Sequence, residues 1–242
     1  MNDDSQFKKP RSIWWQDSSK LVKLMLVIGI AQIALYYIST SAATDELTIP
    51  VPQPDTLLYC QAAKQICNGH PYVFSPGNSP STGTTSHLYP FVLAIPYALG
   101  AKGDALLTAG FFLNALFYLF FLVNWGIIAN KICESPSSRL FACILMALSG
   151  QPAYVAMSQS DMGLFMAISS GAFAALLCKR TSLFCALLVI SPWCRPEGVI
   201  LSVLLPFFII GKSFVTKEKP DRKIWGIVAI AIFSSAGIFI VI

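Results

Sequence analysis

The chain has 242 residues, of which 55% are hydrophobic and only 12% charged, with a mean hydropathy of +0.63. Soluble domains carry about 25% charged residues, so this composition excludes an ordinary soluble domain and predicts an all-α polytopic membrane protein. A net charge of +5 would suggest nucleic acid in a soluble chain, but here the basic residues cluster in short segments between apolar runs, where they signal topology and imply no nucleic-acid partner.

Residues 1–20 are polar and end near Trp14 and Trp15, which suits a cytoplasmic tail with an interfacial aromatic anchor. The apolar run Leu21–Ile38 follows. It is longer than the usual ~7–15-residue signal core and close to the ~20 residues that span a bilayer, so it reads as an uncleaved anchor despite the small residues after it. Residues 41–103 form a long polar and aromatic stretch, predicted to be an exoplasmic loop. Within it, Thr56–Cys67 reads as an amphipathic surface helix with Leu58, Tyr59, Ala62, Ala63, Ile66 and Cys67 on one face and Gln61, Lys64, Gln65 and Asn68 opposite. The Gly/Pro/Ser/Thr-rich segment Asn68–His87 contains Tyr72, Val73 and Phe74, which predicts a packed loop rather than a linker. Leu88–Leu99 is apolar but short and holds Pro90 and Pro96, so an interfacial or re-entrant helix is expected.

The later runs are Ala105–Ala129, Leu140–Met157, Met162–Leu177, Leu183–Trp193, Val199–Gly211 and Ile224–Ile242. With the first run, and with Leu88–Leu99 not crossing, they predict seven transmembrane helices. That path places 14 of the 17 Lys and Arg on the side of the tail and leaves only Lys64, Lys102 and Arg195 opposite, as the positive-inside rule requires. The N-terminus is then cytoplasmic. Leu183–Gly211 is read as a hairpin of two short arms whose turn, SPWCRPEG, holds Arg195 and Glu197 at headgroup depth or below. An ionisable residue there is a functional hypothesis by default. Cys143, Cys178 and Cys185 are expected to pack as small hydrophobes, and Cys60 and Cys67 lie ~10 Å apart along one helix, too far to bridge. No zinc-type spacing occurs.

The same path gathers Asp55, Asp161, Arg195 and Glu197 on the far side. Asp55 either caps the following helix or serves as a base at the membrane surface. Asp161, in SQSDMG, is either a solvated or capping loop residue or a functional acid. Arg195 and Glu197 either neutralise each other or leave a guanidinium fork for a lipid phosphate. His70 and His87 flank the Gly/Pro-rich loop, where a structural histidine is commoner than a catalytic one. Asp45 and Glu46 form a second acidic pair. No P-loop, nucleophile elbow, HExxH or dinucleotide fingerprint is present.

Three segments in order, PDTLLYCQAAKQICNGHPYVFSPGNSPSTGTTSHLYPFVLAIPYALG, SQSDMGLFMA and SPWCRPEGVIL, resemble the GT-C class of membrane glycosyltransferases, in particular its mannosyltransferase-like and lipid A sugar-transferase-like branches. The resemblance implies transfer of a sugar from a polyprenyl-phosphate donor to an acceptor hydroxyl at the exoplasmic face, with inversion. It implies Asp55 and Asp161 as the catalytic acids, with Asp161 orienting the acceptor or helping to hold a divalent cation in members that use one. It assigns Arg195 to the donor phosphate and adds Glu197, His87 and Tyr59 to the substrate-binding set. Thr56 stands where many relatives carry a second acid, which weakens a metal-dependent version and leaves Asp45 or Glu46 as the alternative base. The implied partners are the lipid-linked donor and membrane lipids, and the implied location is a bacterial inner membrane. Residues 21–242 would correspond to the family's N-terminal module, incomplete at Ile242. A small-solute transporter or flippase, built on the break at Pro192–Pro196, is the competing reading, and an inactive truncated module is a third.

Overall fold

The computed structural model describes residues 13–43, 54–75, 77, 79, 84–216, 226 and 229–230. These residues form helices and turns without a strand: α1 (Ile13–Ala43), α2 (Pro54–Cys67), α3 (Leu88–Ala98), α4 (Asp104–Ile132), α5 (Pro136–Leu148), α6 (Gln151–Met157), α7 (Met162–Leu177), α8 (Thr181–Cys194) and α9 (Glu197–Thr216). The all-α expectation holds for them. The tail up to residue 12, the acidic pair Asp45 and Glu46, and nearly all of the Ile224–Ile242 run lie outside the described residues.

Among the described residues, two helices are long and apolar enough to cross a membrane, Lys20–Thr40 within α1 and Asp104–Ile132, and α5 with α6 makes a third if the bent pair is one span. Two or three of the expected seven spans thus meet the test of length there, and nearly all of the last expected run lies outside the described residues. At 1.5 Å per residue, the 16 residues of α7 and 14 of α8 reach only ~24 and ~21 Å, short of a ~30 Å hydrocarbon core. The run Leu140–Met157, expected as one helix, bends by 47° between α5 and α6. Gly150 takes a left-handed φ of 67° there, and Pro152 lies in the first turn of α6, where its missing N–H costs nothing. α3 is an 11-residue helix, too short to cross by itself.

α4 is the hub. It packs against α1, α5, α6 and α7, and α7 continues the layer to α8 and then α9. Small residues let the backbones approach, as usual where helices meet in a bilayer: a Cβ on Gly29 of α1 would come within 2.5 Å of Leu122 Cδ1 on α4. Polar side chains tie the same helices. Tyr118 of α4 donates to Gln32 Oε1 of α1 at 2.6 Å, and Gln32 Nε2 donates to the Ala147 carbonyl of α5 at 2.6 Å. Asn124 of α4 donates to the Ala167 carbonyl and to Ser170 Oγ of α7, both at 3.2 Å. The outer face of α1 is apolar and open, with Val27, Ile30, Leu35 and Ile38 all exposed, which suits contact with lipid chains.

α2 and α3 pack on each other beside this layer. Tyr59 and Ala63 of α2 meet Tyr89, Leu93 and Ala94 of α3, Leu164 and Ile168 of α7 and Cys194 of α8 in one buried cluster. The expected apolar face of α2 is corrected in part: Tyr59 and Ala63 are buried as expected, but Gln65 is buried while Leu58 and Cys67 are exposed. The packing of α2 on α3 and α7, not on a flat surface, sets which residues turn inward.

The α8–α9 hairpin depends on Gly198. A Cβ there would sit 2.1 Å from the Ser191 carbonyl oxygen and 2.7 Å from Pro192 N, backbone atoms that cannot move aside cheaply. Ser191 Oγ donates to the Gly198 carbonyl at 3.2 Å across the same contact. Gly198→Ala is therefore expected to destabilise the protein by about 1–3 kcal/mol, the usual cost of overpacking, measured by thermal unfolding in detergent. A melting temperature equal to that of the unmodified chain would show that the hairpin does not close as described.

Candidate functional site

The turn between α6 and α7, Ser158-Gln159-Ser160-Asp161, is polar and yet buried along its whole length. Buried backbone groups need partners, and α2 and α3 supply them, with α4 holding the α3 partner in place. Thr56 of α2 donates to the Gln159 carbonyl at 3.0 Å, and Tyr89 of α3 donates to the same carbonyl at 3.3 Å. Asn114 of α4 holds the Tyr89 hydroxyl and donates to the Gly110 carbonyl. Gln159 is one of the few non-glycine residues with positive φ, at 60°, a strained conformation that persists where surroundings over-determine it. The outcome is a rigid loop that delivers Asp161.

Asp161 is only 2% exposed, and Arg195 Nη1 donates to its Oδ1 at 2.7 Å. Its other oxygen accepts from Thr85 Oγ1 at 3.3 Å. The single Thr85 proton is thereby used, so Tyr59, whose hydroxyl lies 2.7 Å from Thr85 Oγ1, is the donor in that contact. Burial pushes the Tyr59 pKa well above the ordinary phenol value, which keeps its proton in place. Burial also raises the pKa of Asp161, with the Arg195 guanidinium and the Tyr59 and Thr85 hydroxyls pulling the other way.

Arg195 is the extended residue that ends α8, with φ −159° and ψ 150°. Pro196 follows it, and the residue before a proline is pushed out of the helical region. The break brings Arg195 and Glu197 side by side. Arg195 Nε and Nη2 donate to Glu197 Oε2 and Oε1 at 3.1 and 3.0 Å, a two-pronged pair. Glu197, at the first position of α9, is 54% exposed, against 14% for Arg195. Of the five guanidinium N–H groups, three are used, and one on each terminal nitrogen remains for a ligand. The expectation that Arg195 and Glu197 neutralise each other is met, with Asp161 joining them.

Of the expected site residues, Asp161, Arg195, Glu197 and Tyr59 meet in this cluster. Asp55 is exposed in the first turn of α2, inside a helix that starts at Pro54 rather than ahead of it as the capping reading expected. Its neighbour Thr56 is the residue bonded to the buried turn, while Asp55 itself is exposed. His87 is elsewhere in detail. Its backbone N–H donates to the Trp193 carbonyl at 3.1 Å, and its ring sits edge-on to Tyr72 and Trp193. It lines a water-sized void of about 20 Å³ with Tyr72, Phe74 and Thr84, apart from the charged residues. Burial lowers its pKa.

Thr85, Tyr89, Asn114 and Gln159 were not singled out from the sequence. Thr85 and Tyr89 lie in the TGTTSHLYP segment, whose mixture of hydroxyls and aromatics was a usable sign. Asn114, one of two amides in an apolar run, was another. Among the described residues no three His, Cys, Asp or Glu side chains gather, and Asp161 and Glu197 both face the Arg195 guanidinium. An apolar groove of about 490 Å³ opens from Glu197 between α7 and α9, lined by Phe165, Phe173, Ile200, Leu201 and Leu204.

Compared with known proteins, the chain matches no protein-family model and no curated sequence.

Removing one partner of a buried ion pair costs about 3–5 kcal/mol because the other charge is left unpaired. Arg195→Met should lose stability of that order at neutral pH. Without the guanidinium, one of the groups that hold it down, the raised pKa of Asp161 rises further. Stability contributed that way is present at low pH and lost as pH rises through the folded pKa. The deficit should therefore be smaller at pH 5 than at pH 8 in thermal unfolding; equal deficits at both would contradict the burial of Asp161.

Proposed function

We propose that the chain transfers a sugar from a polyprenyl-phosphate donor to an acceptor hydroxyl at the membrane surface. The observation that carries this reading is a guanidinium, braced by a buried carboxylate and paired on its other edge with Glu197, the residue that lines an apolar groove between α7 and α9. An amphiphile with a phosphate at one end and a long hydrocarbon at the other matches that arrangement: hydrocarbon along Phe165, Phe173, Ile200 and Leu204, phosphate at Arg195. The three segments that resemble GT-C glycosyltransferases are the ones that build the cluster.

Glu197 holds the side of the guanidinium that a phosphate would grip with two oxygens, and its exposure allows it to leave. In the proposed step, the donor phosphate takes over Nε and Nη2 while Asp161 keeps Nη1 and fixes the fork. The buried Asp161 is a positioning residue here, acting on the guanidinium rather than on the acceptor or a divalent cation as first expected. Asp55, exposed in the first turn of α2, accepts the acceptor hydroxyl proton. The acceptor oxygen attacks the anomeric carbon from the face opposite the phosphate, the carbon–oxygen bond to phosphate breaks, and polyprenyl phosphate leaves with the electron pair. Arg195 stabilises that charge in a setting of low dielectric. Configuration inverts.

On this reading the bundle sits with α1 entering from the cytoplasm, α7, α8 and α9 complete the predicted seven crossings with the Ile224–Ile242 run, and the site faces the exoplasm of a bacterial inner membrane. The ends of α4 and α7 that carry Lys131 and Lys179 lie at the tail end, in keeping with the positive-inside rule. The bent α5–α6 pair and the break at Arg195 favour a transporter instead, and flux through proteoliposomes without any sugar donor separates the two.

Asp55→Asn should lower transfer from a polyprenyl-phosphate sugar by at least about 100-fold, the lower end of what a general base supplies, while thermal stability shifts by no more than ~0.5 kcal/mol, as for exposed positions. Radiolabelled donor and a thermal melt read both. Unchanged turnover would reject the mechanism.

A further inference from the structure

α7 runs parallel to α4 but starts much further along. Gly163 lies against the Asn114 side chain, and Asn124 donates to the Ala167 carbonyl and Ser170 Oγ. Counted on from those contacts, the two helices end level at Leu177 and Ile132, whereas α7 begins about ten residues, or ~15 Å, beyond the first residue of α4. α3 stands in the recess this leaves. Asn114 holds the Tyr89 hydroxyl, Leu93 Cδ2 lies 3.4 Å from where a Cβ on Gly110 would be, and a short turn joins Ala98 to Asp104. As α3 advances from Tyr89 through Leu93 to Ala98, its partners on α4 retreat from Asn114 through Gly110 to Asp104, so the two helices are antiparallel.

α4 is long and apolar enough to cross a membrane. Its 29 residues reach ~43 Å against a hydrocarbon core of ~30 Å; with the excess shared between both ends, hydrocarbon begins ~7 Å from Asp104, and Gly110 and Asn114 lie within it. Beside them α3 turns Tyr89, Leu93 and Ala94 inward and leaves Phe91, Ile95 and Leu99 exposed in one stripe. No charged residue occurs from Leu88 to Ala101. The first, Lys102, holds its ammonium 5.8 Å from the centre of the Tyr97 ring, a pairing of cation and aromatic suited to the headgroup level.

We infer that α3 dips into the leaflet at the Asp104 end of α4, with Phe91 and Ile95 against acyl chains, Leu99 at their boundary and Lys102 among the headgroups. Depth and charge select this occupant. The stripe is uncharged where α4 is immersed, and the cation stands at the end where α4 emerges. The inference rests on α4 crossing a bilayer and is independent of sugar transfer.

The test uses the full chain in phosphatidylcholine bilayers. Phe91→Cys, Ile95→Cys and Leu99→Cys, all at exposed positions that leave the packed face of α3 intact, carry a nitroxide one at a time. The unsubstituted chain treated alike gives the signal of native cysteines such as Cys67 for subtraction. Power saturation with oxygen and with a water-soluble nickel chelate reads depth. Oxygen access should exceed nickel access at positions 91 and 95, and position 91 should lie deeper than position 99 by an amount approaching ~12 Å, the rise of eight residues. Equal depth at all three would show a helix lying flat on the surface, and nickel access at 91 and 95 would show water there. Exclusion of both reagents would show a protein partner such as a second copy. Each of these three results overturns the proposal.

Discussion

The contact between Asp161 and Arg195 is the constraint on which the rest of the far end is arranged. Two ions removed from water cost more than their attraction returns unless every remaining polar atom is matched, and the surrounding structure does that matching. Thr85 and Tyr59 serve the second carboxylate oxygen, Glu197 serves the other edge of the guanidinium, and Thr56, Tyr89 and Asn114 serve the strained turn that carries Asp161. These side chains come from five parts of the chain, so α2, the loop before α3, α3, α4 and the α8–α9 hairpin must all be in place before the pair can close. Apolar packing holds the helices of the hub together, and this polar network decides how α2 and α3 sit on them.

Much of this was legible before any coordinates. The composition alone gives the all-α class, and the edges of α4 and α7 follow the hydrophobic runs to within a few residues. The cluster residues Asp161, Arg195 and Glu197 stood out because charge is rare in this chain. What failed did so for local reasons. One hydrophobic run became two helices because Gly150 and Pro152 permit a bend that hydropathy does not register. Among the expected spans, α8 is shorter than a bilayer crossing because Pro196 pushes Arg195 out of the helical region, a local constraint that apolar character and charge balance do not register. Gln65 turned inward because neighbours on α3 and α7 set the buried face of α2, and periodicity within a segment carries no information about its neighbours. His87 drew notice as a titratable residue beside a motif, yet its backbone amide and ring packing give it a structural place.

At the far end a single guanidinium sits between two carboxylates, so the acids outnumber the cation, and on the proposed reading an incoming phosphate must displace Glu197 to reach Nε and Nη2. α7 begins at the residue after Asp161 and forms one wall of the apolar groove that Glu197 lines, so the ion cluster and the groove share that helix.

The most direct test of the central claim is a through-space measurement between phosphorus and the Arg195 guanidinium. With arginine labelled by nitrogen-15 and the chain in bilayers containing polyprenyl phosphate, solid-state dipolar recoupling reports any guanidinium nitrogen within a few ångströms of phosphorus, and Arg195→Lys assigns the signal. The account predicts a contact to Nε and Nη2 that disappears in that variant. A guanidinium that stays coupled to Glu197, with no phosphorus nearby at saturating lipid, would contradict it.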